Sequence, residues 1–154
     1  MHRVVNEFIG IDPGKTGGLV CLDREGAIVE CTKMPVTETD IWKWFVQFPQ
    51  STPSLVEWIH PAIQGIGKSS MSKLYGNYMQ LRGYLIARHM RWEDVKPRKW
   101  QQSLGISPKK KTENRNQWKN RLKAHAQQLF PQEKVTLATA DALLIAEHCR
   151  RTWK

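Results

Sequence analysis

The stretch Phe8-Ile9-Gly10-Ile11-Asp12-Pro13-Gly14-Lys15-Thr16-Gly17-Gly18-Leu19-Val20-Cys21-Leu22 constrains the chain more than any other. An apolar run ends on a carboxylate, breaks at Pro-Gly, turns through Gly-Gly and returns as a second apolar run. That pattern predicts a β-hairpin carrying Asp12 at its lip. A carboxylate held there needs partners, and the rest of the sequence is read for them.

The chain has 154 residues, enough for one domain with a single substantial core. Lys and Arg number 24 against 14 Asp and Glu, a formal charge of +10 that favours a polyanionic partner, nucleic acid first among them. Charge alone also suits a merely soluble basic protein, so position has to decide. Cys21, Cys31 and Cys149 are widely spaced, with no Cys-x-x-Cys pair and no histidine at zinc-ligand spacing. They read as small apolar residues of a protein in a reducing compartment. Met1 to Glu7 shows no signal-peptide run, and no membrane-length apolar segment occurs anywhere. The expected setting is therefore cytoplasmic, with no membrane partner.

Beyond the hairpin, a turn at Asp23 to Gly26 leads into a third strand over Gly26 to Met34. Thr39 or Asp40 is expected to cap a helix whose Ile41, Trp44, Phe45 and Phe48 recur at helical spacing. Ser54 to Ile59 reads as a fourth strand, interrupted by one acid, Glu57. His60 to Met71 reads as a mobile loop. A helix follows over about Ser72 to His89, with Leu74, Tyr78, Leu81 and Leu85 as its apolar stripe. Gly76 and Gly83 share one face of that helix and permit close approach, either of the protein's own sheet or of a second subunit.

Trp92 to Lys96 reads as a fifth strand, and Arg98, Lys99 and Trp100 stand just beyond it. A further helix begins at Ser107 or at Thr112, with Trp118, Leu122 and Leu129 inward and Lys111, Arg115, Lys119 and Lys123 four apart along one edge. Like charges at that spacing repel unless a polyanion lies along them. The last helix is expected over about Ala140 to Arg151. Asp141 then falls in its first turn, where complementing the helix dipole is its ordinary role.

Strands joined by helical crossovers make the later part of the sheet parallel, and sites on such sheets lie at strand ends. Asp12 ends the first strand, Glu57 lies on the fourth, and Asp141 opens a helix able to pack across both. Clustered carboxylates are costly to bury, and a divalent cation removes that cost. Oxygen ligands from three separate elements suit Mg²⁺ or Mn²⁺, and two such ions activate a water and stabilise the leaving oxygen of a phosphodiester.

Ile9 to Gly14, Leu55-Val56-Glu57, Val95 to Trp100 and Ala140 to Ala146 resemble, in that order, the motifs of RuvC-type Holliday junction resolvases, including phage and plastid relatives. The resemblance spans Ile9 to about His148. It implies an α/β, ribonuclease H-like fold, a mixed five-stranded sheet with helices on both faces, forming one nuclease domain over residues 1–154. It also implies a homodimer that nicks four-way DNA junctions in pairs with Mg²⁺ or Mn²⁺, two ions, leaving 5′-phosphates. Asp12, Glu57 and Asp141 match the family's metal-binding acids, and Lys111 falls where relatives place basic residues near the scissile phosphate. The expected setting extends to any reducing, DNA-containing compartment, including a host cytoplasm for a phage-encoded protein.

One departure stands out. Relatives often carry a fourth acid, or a histidine, where this chain has Leu137 and Ala138. His148 lies on the same helical face as Asp141 but about 10 Å further along the axis, so it reads as structural. For DNA, the reading names Lys68 and Lys73 for phosphate and Tyr75 or Tyr78 for stacking on an unpaired base. It adds Arg98, Lys99, Lys109, Lys110, Lys111, Arg115 and Lys119. The alternatives are a nuclease of the same fold acting on RNA-DNA hybrids or replication intermediates, and a non-catalytic protein that binds branched DNA. An actin-like phosphate hairpin at Asp12 to Gly18 requires two such domains, and Gly14-Lys15-Thr16 lacks the spacing of a P-loop.

Overall fold

Strand β1 (Glu7–Asp12) alternates its side chains between two cores. A computed structural model describes residues 6–153. Residues 1–5, part of the stretch read for a signal peptide, lie outside them. Phe8 faces one core together with Val20 and Leu22 of β2 (Gly18–Asp23). Ile9 and Ile11 face the other with Leu19 and Cys21. Strands buried on both faces read as near-continuous apolar runs, as both of these do.

Together with β3 (Ile28–Lys33), β4 (Ser54–Glu57) and β5 (Trp92–Val95) they form one mixed sheet of order β3-β2-β1-β4-β5. The first three strands are antiparallel, and β1, β4 and β5 run parallel, as the crossovers predict. The hairpin lip closes through Gly17 N–H donating to Gly14 O at 2.9 Å. Gly14 has φ +108°, a backbone state that L-side chains rarely adopt.

Two helical layers cover the sheet. On the Ile9 face lie α1 (Glu38–Val46), burying Ile41, Trp44 and Phe45, and α2 (Lys68–Ala87), burying Tyr78, Leu81 and Leu85. On the Phe8 face lie α3 (Pro97–Ser103), α4 (Arg115–Leu129) and α5 (Leu137–Thr152). Helix α5 is the centre of the molecule, buried without a break from Thr139 to Cys149. It lies so close to β1 that a Cβ on Gly10 would stand 2.2 Å from Ala146 N and 2.4 Å from Ala142 O. Only glycine fits there.

Several helix boundaries differ from the sequence reading. Thr37, not Thr39 or Asp40, caps α1, its hydroxyl accepting from Asp40 N. Helix α2 starts four residues before Ser72, which takes Lys68 and Met71 out of the expected loop. Helix α4 starts at neither Ser107 nor Thr112, because Asn114 and Gln117 form a reciprocal capping box there. Its buried positions are Leu122 and Ala126, while Leu129 is exposed. Helix α3 was not expected; Pro97 at its first position pre-sets the turn.

Gly76 and Gly83 do not pack on the sheet. Both are exposed, with nothing within 4 Å of an added Cβ, so the first of the two alternatives is excluded. The three cysteines are free, Cys21 and Cys149 buried and Cys31 partly so. Among the described residues no helix is long and apolar enough to cross a membrane.

Candidate functional site

Two adjacent parallel strands end on carboxylates. The register pairs Ile11 with Val56, so Asp12 and Glu57 follow side by side at the carboxyl ends of β1 and β4. Side chains two apart on a strand share a face, so Asp12 follows Phe8 and Gly10, and Glu57 follows Leu55, toward the core that holds α5.

The third acid arrives on α5. Thr136 caps this helix and forms a capping box with Thr139, so the helix starts at Leu137 and Asp141 lies in its second turn. The expected placement at about Ala140 was three residues late, and the ordinary dipole role does not apply at that depth. Asp141 is buried, at 3% exposure. The close approach permitted by Gly10 brings the α5 backbone, and Asp141 with it, onto the sheet.

The electrostatics follow from this crowding. Burial pushes the Asp12 carboxyl well above the ordinary range, the charges of Asp141 and Glu57 push the same way, and Lys119 opposes them. Glu57 rises to about 7, first through burial and then through Asp141. Trp100 and Lys119 act against that rise. Trp100, fully buried on α3, donates Nε1–H to Glu57 Oε2 at 2.8 Å. Lys119 Nζ donates to Asp141 Oδ2 at 2.7 Å. Burial works against this ammonium, yet Asp141, with Asp12 and Glu57, holds its pKa above the ordinary value.

The other oxygen of Asp141, Oδ1, is buried and has no hydrogen-bond partner. Three hard carboxylate donors, one with an orphaned buried oxygen, fit a divalent cation of the Mg²⁺ or Mn²⁺ type. Among the described residues no three His, Cys, Asp or Glu side chains already close a cage around one point. In this arrangement the Lys119 ammonium takes up part of the negative charge instead.

The remaining named residues divide by position. Lys68 and Lys73 are exposed on the first turns of α2, and Tyr75, half-buried, stands 5.6 Å from the Tyr78 ring. Tyr78 itself is buried and donates its hydroxyl to Asp94 at 2.6 Å, which removes it as a free stacking surface. Lys68 and Tyr75 line an open cavity of about 740 Å³ with Pro61, Ile63, Ile66 and Met71. Arg98 and Lys99 are exposed on α3, Lys109 to Lys111 on the following loop, and Arg115 at the start of α4.

Lys119 departs from the expected solvated stripe, being drawn inward to Asp141. His148 is buried against Ser103, 2.5 Å from Nδ1 to Oγ, in keeping with a structural residue. The sequence reading missed the bond from Trp100 to Glu57 and the pair between Lys119 and Asp141. Their separations of 43 and 22 residues leave no local signal.

Strand order, strand direction and the two helical layers define an α/β, ribonuclease H-like fold. Two solved structures with this fold are similar over nearly the whole chain. Thermus thermophilus RuvC in complex with Holliday junction substrate matches with a TM-score of 0.61 at 13% identity, covering 92% of this chain and 91% of that one. A further Thermus thermophilus RuvC structure matches with a TM-score of 0.56 at 16% identity, covering 92% of each chain. No protein-family model matches the sequence, and neither does any curated protein.

Proposed function

We propose that this chain is a metal-dependent, structure-selective DNA endonuclease that resolves four-way junctions by paired nicking. The observation that carries the reading is the meeting of Asp12, Glu57 and Asp141 at the carboxyl ends of β1 and β4, each from a separate element and beside Lys119. Similarity of fold to RuvC, one of whose structures holds a Holliday junction substrate, supports the choice of branched DNA over other polyanions.

Asp12, Glu57 and Asp141 would hold the cations. Two Mg²⁺ or Mn²⁺ ions would supply activation of water and stabilisation of the leaving oxygen. Trp100 fixes the Glu57 carboxylate in place and favours its ionised form. Lys119 balances the acids and stands ready at the site as a donor to a phosphate oxygen. Arg98, Lys99, Arg115 and the loop lysines hold the DNA backbone, and Lys68, Lys73 and Tyr75 meet the junction at the open cavity.

The protein acts as a homodimer. Gly76, Met79, Gly83 and Ile86 lie exposed at intervals of three, four and three residues along α2, a continuous small-and-apolar seam facing outward. Two such subunits present two acid clusters, which paired nicking requires.

The test is a cleavage panel of labelled four-way junction, duplex, flap and RNA-DNA hybrid with Mg²⁺ or Mn²⁺. Cutting confined to the junction is the expected result. Preference for the hybrid or the flap moves the function to another nuclease of this fold. Tight junction binding without cutting identifies a non-catalytic binder in which Leu137 and Ala138, at the position of a fourth acid, decide the matter.

A further inference from the structure

The loop between α3 and α4 carries three adjacent lysines, Lys109, Lys110 and Lys111, all exposed. Three like charges in sequence repel, and an exposed loop of that composition has every reason to move. Here both ends of the loop are tied to one side chain. Arg121, on α4, donates Nε–H to Glu113 Oε2 at 3.0 Å and Nη2–H to Glu113 Oε1 at 2.8 Å, a two-pronged ion pair. The same guanidinium reaches the other end of the loop. Nη1 donates to Ser107 O at 2.9 Å and Ser107 Oγ at 3.1 Å, and Nη2 to Pro108 O at 3.0 Å.

Its flat face lies 4.5 Å from the Trp118 ring centroid. Glu113 closes the loop from within. Its Oε1 accepts from Lys110 N at 2.8 Å, its N–H donates to Lys110 O at 3.1 Å, and its carbonyl accepts from Lys109 Nζ at 2.7 Å. The bonds from Arg121 and Lys110 hold the Glu113 carboxyl at about 2, far below the usual carboxylate range. Lys110 and Lys111 form no ion pair among the described residues.

We infer that Arg121 is a positioning residue. Its clasp on Glu113, Ser107 and Pro108 preforms the loop so that Lys110 and Lys111 meet a nucleic-acid backbone without an ordering cost. The inference rests on the nucleic-acid reading above and adds to it the residues that set the shape of the contact. A rigid loop binds more tightly than a floppy one of equal charge because less freedom is lost on docking.

The test compares wild type, Arg121→Gln, Glu113→Gln and Lys110→Ala/Lys111→Ala. Each is measured for affinity to a labelled immobile four-way junction across a salt series in Ca²⁺, and for trypsin cleavage within Lys109 to Lys111. Glu113→Gln is the decisive variant, because it makes the loop more positive. Charge alone therefore predicts tighter binding, whereas the clasp predicts binding weakened about tenfold with faster trypsin cleavage. Arg121→Gln is expected to weaken binding similarly with the salt slope unchanged, since the lysines still reach phosphate once bound. The double alanine variant is expected to lower that slope by about 2.

Glu113→Gln binding as tightly as wild type or more tightly overturns the clasp and leaves the nuclease reading standing. A salt slope lowered by about 1 in Arg121→Gln makes Arg121 a direct phosphate contact and overturns it as well. Wild type that binds neither junction nor duplex overturns both readings. Glu113→Gln, which exchanges one carboxylate oxygen for an amide nitrogen in a loop side chain, keeps the comparison available should Arg121→Gln unfold.

Discussion

Lys119 Nζ sits 2.7 Å from Asp141 Oδ2, while Oδ1 of the same carboxylate is buried without any partner. One oxygen is neutralised and the other is free, so cation and lysine compete for the same acid. Lys119→Met removes the competitor. The metal-free variant is expected to lose about 1–2 kcal/mol, less than a fully buried pair would cost because the lysine keeps access to water. At pH 8, Mn²⁺ is expected to raise its Tm by more than it raises that of wild type. Thermal melts with and without the ion check this, and an equal or smaller rise contradicts it.

Glu57 makes the site pH-dependent. Its carboxyl is ordinary when unfolded and rises to about 7 when folded, so the native state binds the extra proton between those values. A raised acid loses stability as pH climbs through that window. Glu57→Gln carries no such charge and should gain stability relative to wild type, by up to about 2 kcal/mol, between pH 5 and 8. Subtracting the two melting curves at each pH removes the contributions of groups that do not feel Glu57, and leaves that of Glu57 together with Asp12, whose carboxyl its charge raises. A difference that stays flat with pH contradicts the assignment.

Metal binding needs Glu57 ionised, so affinity should fall as pH drops below about 7. Trp100→Phe keeps an aromatic ring in the core, at the cost of some buried volume, and deletes the bond that favours the ionised form. The midpoint of Mn²⁺ binding against pH is expected to move upward by about half a unit to one unit. Titration calorimetry at several pH values reads the shift; no movement, or a downward one, would show the bond to be incidental.

Gly10 holds the architecture of the site. Gly10→Ala places a methyl against the backbone of Ala142 and Ala146, which cannot yield without moving α5 off the sheet. A loss of about 3 kcal/mol or more is expected by urea denaturation. Gly76→Ala, with open space around it within the subunit, should change the stability of the separate subunit by less than 1 kcal/mol and in the stabilising direction.

The outward seam of α2 makes oligomeric state testable. Met79→Asp with Ile86→Asp should convert a dimer to a monomer in sedimentation equilibrium while leaving the far-ultraviolet spectrum intact. Wild type that sediments as a monomer at micromolar concentration removes α2 as an interface.

How far the sequence reached follows from the range of each interaction. The hairpin at Asp12 was legible because Pro13, Gly14, Gly17 and Gly18 act within a few residues. Strand β4 was legible as a short apolar run between Pro53 and Pro61, whereas β5, with Glu93 and Asp94 in four residues, was legible only from its place between a helix and Pro97. The start of α5 was not, because Thr136 and Thr139 read equally well as the end of an extended segment until their mutual capping is seen. Helix α3 has seven residues and buries only Trp100, too little for a stripe. Lys119 counted as one charge in a solvated row, and only the position of α5 shows it facing Asp141. Asp12 and Glu57 were legible as carboxylates that close apolar runs, while their meeting with Asp141 depends on where α5 packs.

The most direct test of the central claim is cleavage of a labelled immobile four-way junction, with Mg²⁺ or Mn²⁺, by wild type and by Asp12→Asn. Wild type should place symmetric nicks in opposing strands and give duplex products that a ligase reseals, and Asp12→Asn should bind the junction as tightly and leave it uncut. Cleavage that persists in Asp12→Asn, or that needs no divalent cation, contradicts the account.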